Sequence, residues 1–256
     1  MTEQEHKVYR HADADGHFRR KDSVFRSIVS SDPTAEFPAE KDRYILYLGY
    51  GCPWVHRPNI VRSLKGLEEI IPLVVLDPEL GADGWFFSDL QLYFKADPAY
   101  EGRYTIPVLW DKKETIVNNK SSEIMRMFYT ELDHLLPDDL REVNKPGGGF
   151  YPLYLRNDID EMNKWTGFAT TQVAYEGNLY PLFEALDRIK THLHSKDTNL
   201  FGEHITETDI RLYTTVARFD VAYYLIFRLA MGKRTGSSQI IVPAGPLPNT
   251  LPLEDS

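Results

Sequence analysis

The stretch from Arg43 to Leu76 constrains this chain more than any other. RYILYLGY, rich in aromatic and β-branched residues over strand length, runs straight into Gly51-Cys52-Pro53. Pro53 suits the first position of a helix, where its missing N–H costs nothing. Val55, Ile60, Val61 and Leu64 then recur at spacings that line one helix face, and Gly66 supplies a stop. IPLVVL, residues 71–76, is a continuous apolar run of the kind a buried parallel strand uses. Residues 43–76 therefore read as a βαβ unit with a cysteine at its strand-to-helix junction.

The flanking segments extend that unit. Residues 77–103 form a long aromatic loop, and loops of that length inside a compact domain are often functional. TIPVLWD, residues 105–111, and residues 115–117 read as two short strands joined by Lys112-Lys113-Glu114, which gives a small mixed sheet. Residues 121–128 place Ile124, Met125, Met127 and Phe128 at helical spacing, with Ser121 or Ser122 near the cap. Residues 1–36 show no sustained period and read as an extension preceding an α/β domain over 37–136. The acidic start and PGGG end of residues 137–150 read as a linker. An all-α region over 151–229 follows, then a proline-rich tail over 230–256. Within it, Thr206-Glu207-Thr208-Asp209 has the pattern of a capping box and starts the surest helix of that half.

Charge and composition narrow the chemistry. A net charge of −9 and a pI near 5.4, with basic residues spread along the chain, argue against a nucleic acid or an anionic membrane as partner. A small molecule is the expected partner. No apolar run is long enough to cross a bilayer, and the polar, acidic N-terminus is unlike a signal peptide, so a cytoplasmic location is expected. One cysteine in 256 residues excludes an internal disulfide, a thiolate zinc cage and a two-cysteine redox cycle. There is no metal-ligand spacing and no Walker-type loop, so no metal is expected.

Cys52 stands where unpaired N–H groups and the helix dipole favour a thiolate, which makes a nucleophile; the bland alternative is a small buried hydrophobe. Val55 occupies the place of a second redox cysteine, so any disulfide formed at Cys52 must be resolved by an outside thiol. Ile106-Pro107 is a candidate cis peptide whose first residue keeps its backbone groups free for a peptide substrate, against the alternative of a trans proline at an edge. Trp85, with Phe86 and Phe87, is either packing or one wall of a ligand cleft. Arg103 is either a solvated charge or a carboxylate partner. His56, one turn past Cys52, reads as a helix-face residue rather than a base.

The blocks AEFPAEKDRYILYLGYGCPWVHRP, SLKGLEEIIPLVV, DGWFF, TIPVLWDKKETIVNNKSSEIMR, GFATTQVAYE and TETDIRLYTTVARFDVAYYLIF resemble the glutathionyl-hydroquinone reductases, the Xi class of glutathione transferases. The likeness spans residues 17–228. It implies a thioredoxin-like α/β N-terminal domain followed by an all-α C-terminal domain, incomplete relative to the family. It also implies glutathione as co-substrate, a quinone-derived aromatic substrate, and a homodimer. Cys52 would take glutathione from a glutathionyl-hydroquinone as a mixed disulfide that a second glutathione resolves. Trp85, Arg103, Ile106, Pro107 and Ser121 match positions that hold glutathione, and Tyr223 matches a tyrosine of the hydroquinone pocket that favours the thiolate.

Three departures from the family stand out. Lys120 takes the place of an acidic residue that binds the glutathione ammonium. IDEMNKW runs directly into TGFATTQ, where the family inserts a stretch carrying a proton-donating tyrosine. Only RLAMGKRTGSSQ separates Arg228 from the proline-rich end, where the family has further helices. These departures keep a second expectation open: a catalytically impaired relative that acts as a scaffold or weak thiol binder.

Overall fold

In β1 (Tyr44–Leu48), Tyr44, Leu46 and Leu48 are fully buried while Ile45 and Tyr47 are half-buried, the period-2 pattern that strand geometry imposes. The computed structural model describes residues 22–76, 80–81, 84–85, 91–102, 104–171, 187–194 and 199–218. β1 sits inside a four-stranded sheet of order β2-β1-β5-β6, with β2 (Leu73–Val75), β5 (Val108–Asp111) and β6 (Thr115–Asn118). β2 runs parallel to β1, β5 antiparallel to β1, and β6 antiparallel to β5. The parallel pair is joined by α1 (Pro53–Leu64), as the βαβ reading expects. Both α1 and α3 (Ser121–Thr130) pack on each other, and Ile124, Met125, Met127 and Phe128 are buried in the main core as their spacing predicts.

Three expectations change. IPLVVL is not buried throughout: β2 is an edge strand, and Val74 and Val75 are exposed. A strand with a neighbour on one side only has less sheet and helix over it, so a continuous apolar run is no proof of a central position. The aromatic region is not simply a loop: it contains the two-residue strands β3 (Leu80–Gly81) and β4 (Gly84–Trp85), which pair with each other, and α2 (Gln91–Ala96). The segment read as a linker is a chain of 3₁₀ turns strapped onto α1. Lys65, fully buried, donates through Nζ to Asp133 Oδ1 at 2.6 Å, to the Leu140 carbonyl at 2.6 Å and to Glu142 Oε1 at 2.9 Å. Three donors meet three acceptors, which is the condition for burying an ammonium group. Gly66 closes the same contact: its φ is +66°, and a Cβ there would stand 2.8 Å from Leu140 Cδ1.

The helical half comprises α4 (Arg156–Thr171), the helical residues 187–194 (α5) and α6 (Glu207–Val216). The capping box is present as read: the Asp209 carboxylate accepts from the Thr206 N–H at 2.8 Å and its hydroxyl at 2.7 Å. Glu207, fully buried at the start of α6, ties the halves together. It accepts from Arg126 Nε at 2.8 Å, Arg211 Nη1 at 2.8 Å, Asn163 Nδ2 at 2.9 Å and the Tyr129 hydroxyl. Arg126 also reaches Asp160 on α4 at 2.6 Å. Burial opposes the Arg126 charge, but Glu207 and Asp160 outweigh it and hold the guanidinium ionised.

Candidate active site

β1 ends at Leu48, and Gly49 to Cys52 turn the chain into α1; the Cys52 N–H donates to the Gly49 carbonyl at 3.1 Å. Cys52 is the N-cap residue, with extended backbone, and Pro53 holds the first helical position. Its side chain is half-buried and packs on the main core. There is no acidic residue in the first turn of α1, so the positive end of the helix dipole at Cys52 is not offset from its own helix. The half-buried side chain remains reachable from solvent at that end of the helix.

The β1–β5 register pairs Tyr47 with Val108, so Ile106 and Pro107 immediately precede β5 at the end of the sheet where β1 leads toward Cys52. The Ile106–Pro107 peptide is cis, as the sequence suggested, and both residues are buried. Tyr93 of α2 fixes this segment. Its hydroxyl donates to the Thr105 carbonyl at 2.7 Å, and accepts from the Thr105 N–H at 3.1 Å and Asn119 Nδ2 at 3.3 Å. Burial raises the Tyr93 pKa and keeps the hydroxyl a donor. One side chain thus holds the residue before Ile106 and the residue before Lys120, so the two segments are positioned together. No local pattern distinguishes Tyr93 from the other aromatics of residues 77–103.

Ser121 opens α3 and is buried; the N-cap is Lys120, not a serine, so Ser121 stands one place further in than a cap. The Lys120 N–H donates to Asn118 Oδ1 at 2.7 Å, and its carbonyl accepts from the N–H groups of Glu123 and Ile124, both at 3.0 Å. Glu123 is engaged elsewhere, by Arg26 and by Asn118 Nδ2 at 2.9 Å. Burial alone would raise its pKa, but these bonds outweigh it and hold Glu123 ionised. Glu123 is therefore committed to Arg26 and Asn118, and Lys120 places a cation at the start of α3.

Of the other residues singled out, Trp85 lies in β4 opposite Leu80, and its side chain, like Arg103, Phe86, Phe87 and Tyr223, lies outside the described residues. His56 is half-buried, four residues past Cys52 on α1, with its ring edge-on to Tyr50 at 6.1 Å. Its partner is remote in sequence: Arg218, just past the end of α6, stands 2.7 Å from Nδ1 and 2.9 Å from Nε2. Burial first, then Arg218, pushes the His56 pKa below its ordinary value. Among the described residues no cluster of His, Cys, Asp or Glu side chains is arranged to hold a metal ion, and no helix is long and apolar enough to cross a membrane.

The family model described as glutathione S-transferase, N-terminal domain matches residues 51–131, and that described as glutathione S-transferase, C-terminal domain matches residues 172–239. The chain is 44% identical to a protein of Schizosaccharomyces pombe named glutathione S-transferase omega-like 2, covering 85% of this chain and 77% of the relative. It is 41% identical to glutathionyl-hydroquinone reductase YqjG of Escherichia coli, covering 83% of this chain and 73% of the relative. That alignment spans 247 positions, more than the share of this chain it covers, so the relative carries residues within the aligned stretch that have no counterpart here. The crystal structure of the glutathione S-transferase Xi of Phanerochaete chrysosporium superposes with a TM-score of 0.76 at 42% identity, covering 85% of this chain and 76% of that one.

Proposed function

The chain belongs to the glutathione transferase family, among its Xi-class and omega-like members, and on that premise we propose that it is a glutathione-dependent reductase of glutathionyl-hydroquinones working through Cys52. The observation that carries the reading is the half-buried Cys52 at the N-cap of α1, with no carboxylate in the first turn. A cap of serine or tyrosine would only hold a bound glutathione thiolate by hydrogen bonding, whereas a thiolate attacks sulfur. The E. coli relative has a structure with glutathione bound.

In the proposed reaction the Cys52 thiolate attacks the sulfur of the glutathionyl-hydroquinone. An S–S bond forms, the sulfur–carbon bond breaks, and its electron pair goes to the ring carbon, which takes a proton and leaves as the hydroquinone. A second glutathione, as thiolate, attacks the mixed disulfide, releases glutathione disulfide and returns Cys52 as thiolate. The net change is reduction of the substrate by one added glutathione with no electrons unaccounted for. Within this reading the Ile106 backbone pairs with the glutathione peptide, and Ser121 at the start of α3 receives the γ-glutamyl carboxylate. Trp85 and Arg103 complete the glutathione site, and Tyr223 lines the hydroquinone pocket. A second copy of the chain is the proposed partner, and the cytoplasm its proposed location.

Mass spectrometry after exposure to glutathione disulfide tests the first half. One glutathionyl adduct on Cys52, removed by reduced glutathione and lost in Cys52→Ser, is expected. A chain that never takes the adduct is a scaffold of this fold and not a thiol enzyme. Reduction of glutathionyl-menadiol tests the second half. Lys120 bears on affinity: beside a bound ammonium group it repels, and Lys120→Glu is expected to tighten glutathione binding about ten-fold by calorimetry.

A further inference from the structure

Arg218 is separated from His56 by 162 residues, yet its Nη2 lies within 3 Å of both ring nitrogens and 3.4 Å from the Tyr50 carbonyl. Guanidinium has only donors, so a ring nitrogen that meets it offers a lone pair. In the neutral ring one nitrogen accepts and the other keeps its hydrogen, and the backbone of Tyr50 stands as a partner of the ring. Tyr50 closes the group by setting its ring edge-on to His56. Tyr50, two residues before Cys52, is thus met from two sides: its carbonyl accepts from Arg218 at the end of α6, and its ring and backbone lie against His56 of α1. His56 in this arrangement is a neutral strut, which agrees with the burial and the neighbouring cation that both disfavour its charged form.

We propose that Arg218 is a positioning residue for the Cys52 thiol: from the end of α6 it grips His56 and the Tyr50 carbonyl, and so fixes from the helical half the turn that presents the thiol. The rival role is local. Arg218 Nη1 also donates to the Thr214 carbonyl at 2.9 Å, as a cation at a helix C-terminus does, and a residue serving only that purpose would stabilise α6 without touching the thiol. The proposal rests on the thiol reading of Cys52 for its importance, but its test does not need turnover.

Cys52 is the one cysteine of the chain, so alkylation by iodoacetamide reports this thiol alone. In the full chain at pH 7, Arg218→Met is expected to slow alkylation about ten-fold, the scale of one pKa unit or a misplaced thiolate. His56→Leu, which breaks the strut, should slow it as much. The double variant should be no slower than either single one, because the two residues act as one unit. His56→Gln, which keeps one donor and one acceptor, should recover most of the rate. Wild-type rates in Arg218→Met, or independent losses that multiply in the double variant, overturn the proposal. If Arg218→Met unfolds early, the His56→Leu and His56→Gln pair decides alone: equal rates in the two overturn it. Coupled alkylation with no reduction of glutathionyl-menadiol by the wild type would leave the clamp standing and remove the reductase reading; brisk reduction with uncoupled alkylation would do the reverse.

Discussion

The two halves of this molecule are held together by different physics. The sheet half encloses one large apolar core, in which Tyr44, Leu46, Leu48, Val55, Val61, Leu109, Ile124, Met125 and Phe128 are fully buried. Among the described residues of the helical half the separate apolar cluster is small: Met162, Ile189, Leu200 and Leu212, with Trp165 and Phe201 against it. Its attachment adds to one apolar anchor, Ile210 of α6 buried in the main core, a polar network of the buried Glu207 and the side chains of Arg126, Tyr129, Asn163 and Arg211 that surround it. Apolar burial is non-directional and tolerates small shifts, whereas a buried carboxylate is worth having only while every partner is in place. The sheet half therefore sets the fold, and the ion network fixes how the helices meet it. Since Arg218 extends from α6 to the turn before Cys52, the quality of that docking reaches the thiol.

The sharpest way to break this comparison is to damage each half in its own terms. Phe128→Ala, in the sheet-half core, is expected to cost about 4 kcal/mol in urea unfolding, as large cavities do. Leu212→Ala in the small cluster should cost about 2 kcal/mol, and a cost equal to that of Phe128→Ala would mean the helical half has a core as strong. Between them falls Glu207→Leu, expected at about 3 kcal/mol, because Arg126 and Arg211 lose a fully buried partner while remaining partly open to water. An exposed ion pair sets the contrast: Arg26→Ala removes the bond to Glu123 and is expected to cost about 0.5 kcal/mol.

A pH dependence is expected on the same small scale as the exposed pair. Burial works to raise the Asp160 pKa, but the Tyr151 and Arg126 hydrogen bonds outweigh it and hold it below the usual carboxylate range. A depressed carboxylate contributes stability that is complete above its unfolded pKa, about 4, and is lost as pH falls through the lower folded value. The pair is half exposed, so the loss should be about 0.5 kcal/mol, visible as a difference between wild type and Asp160→Asn that closes below that range. A difference that persists to pH 2 would place the coupling elsewhere than in the Asp160 charge.

What the sequence settled by itself was local. The strand, the Cys52-Pro53 helix start, the stop at Gly66, the buried face of α3 and the Thr206–Asp209 capping box are all written within a few residues, in spacings that backbone geometry enforces. The candidate nucleophile was legible for the same reason, since its helix N-terminus is a local feature. Tertiary structure decided the rest. Lys65, Tyr93, Arg126, Glu207 and Arg218 look like ordinary surface or packing residues in sequence, and no periodicity distinguishes them. Arg126 meets Glu207 across 81 residues and Arg218 meets His56 across 162, and such pairings exist only once two helices from different halves have been brought side by side. Long, flexible charged side chains have many possible partners in the unfolded chain, and only the packed backbone selects one by burying it where an unpaired charge is too costly to keep.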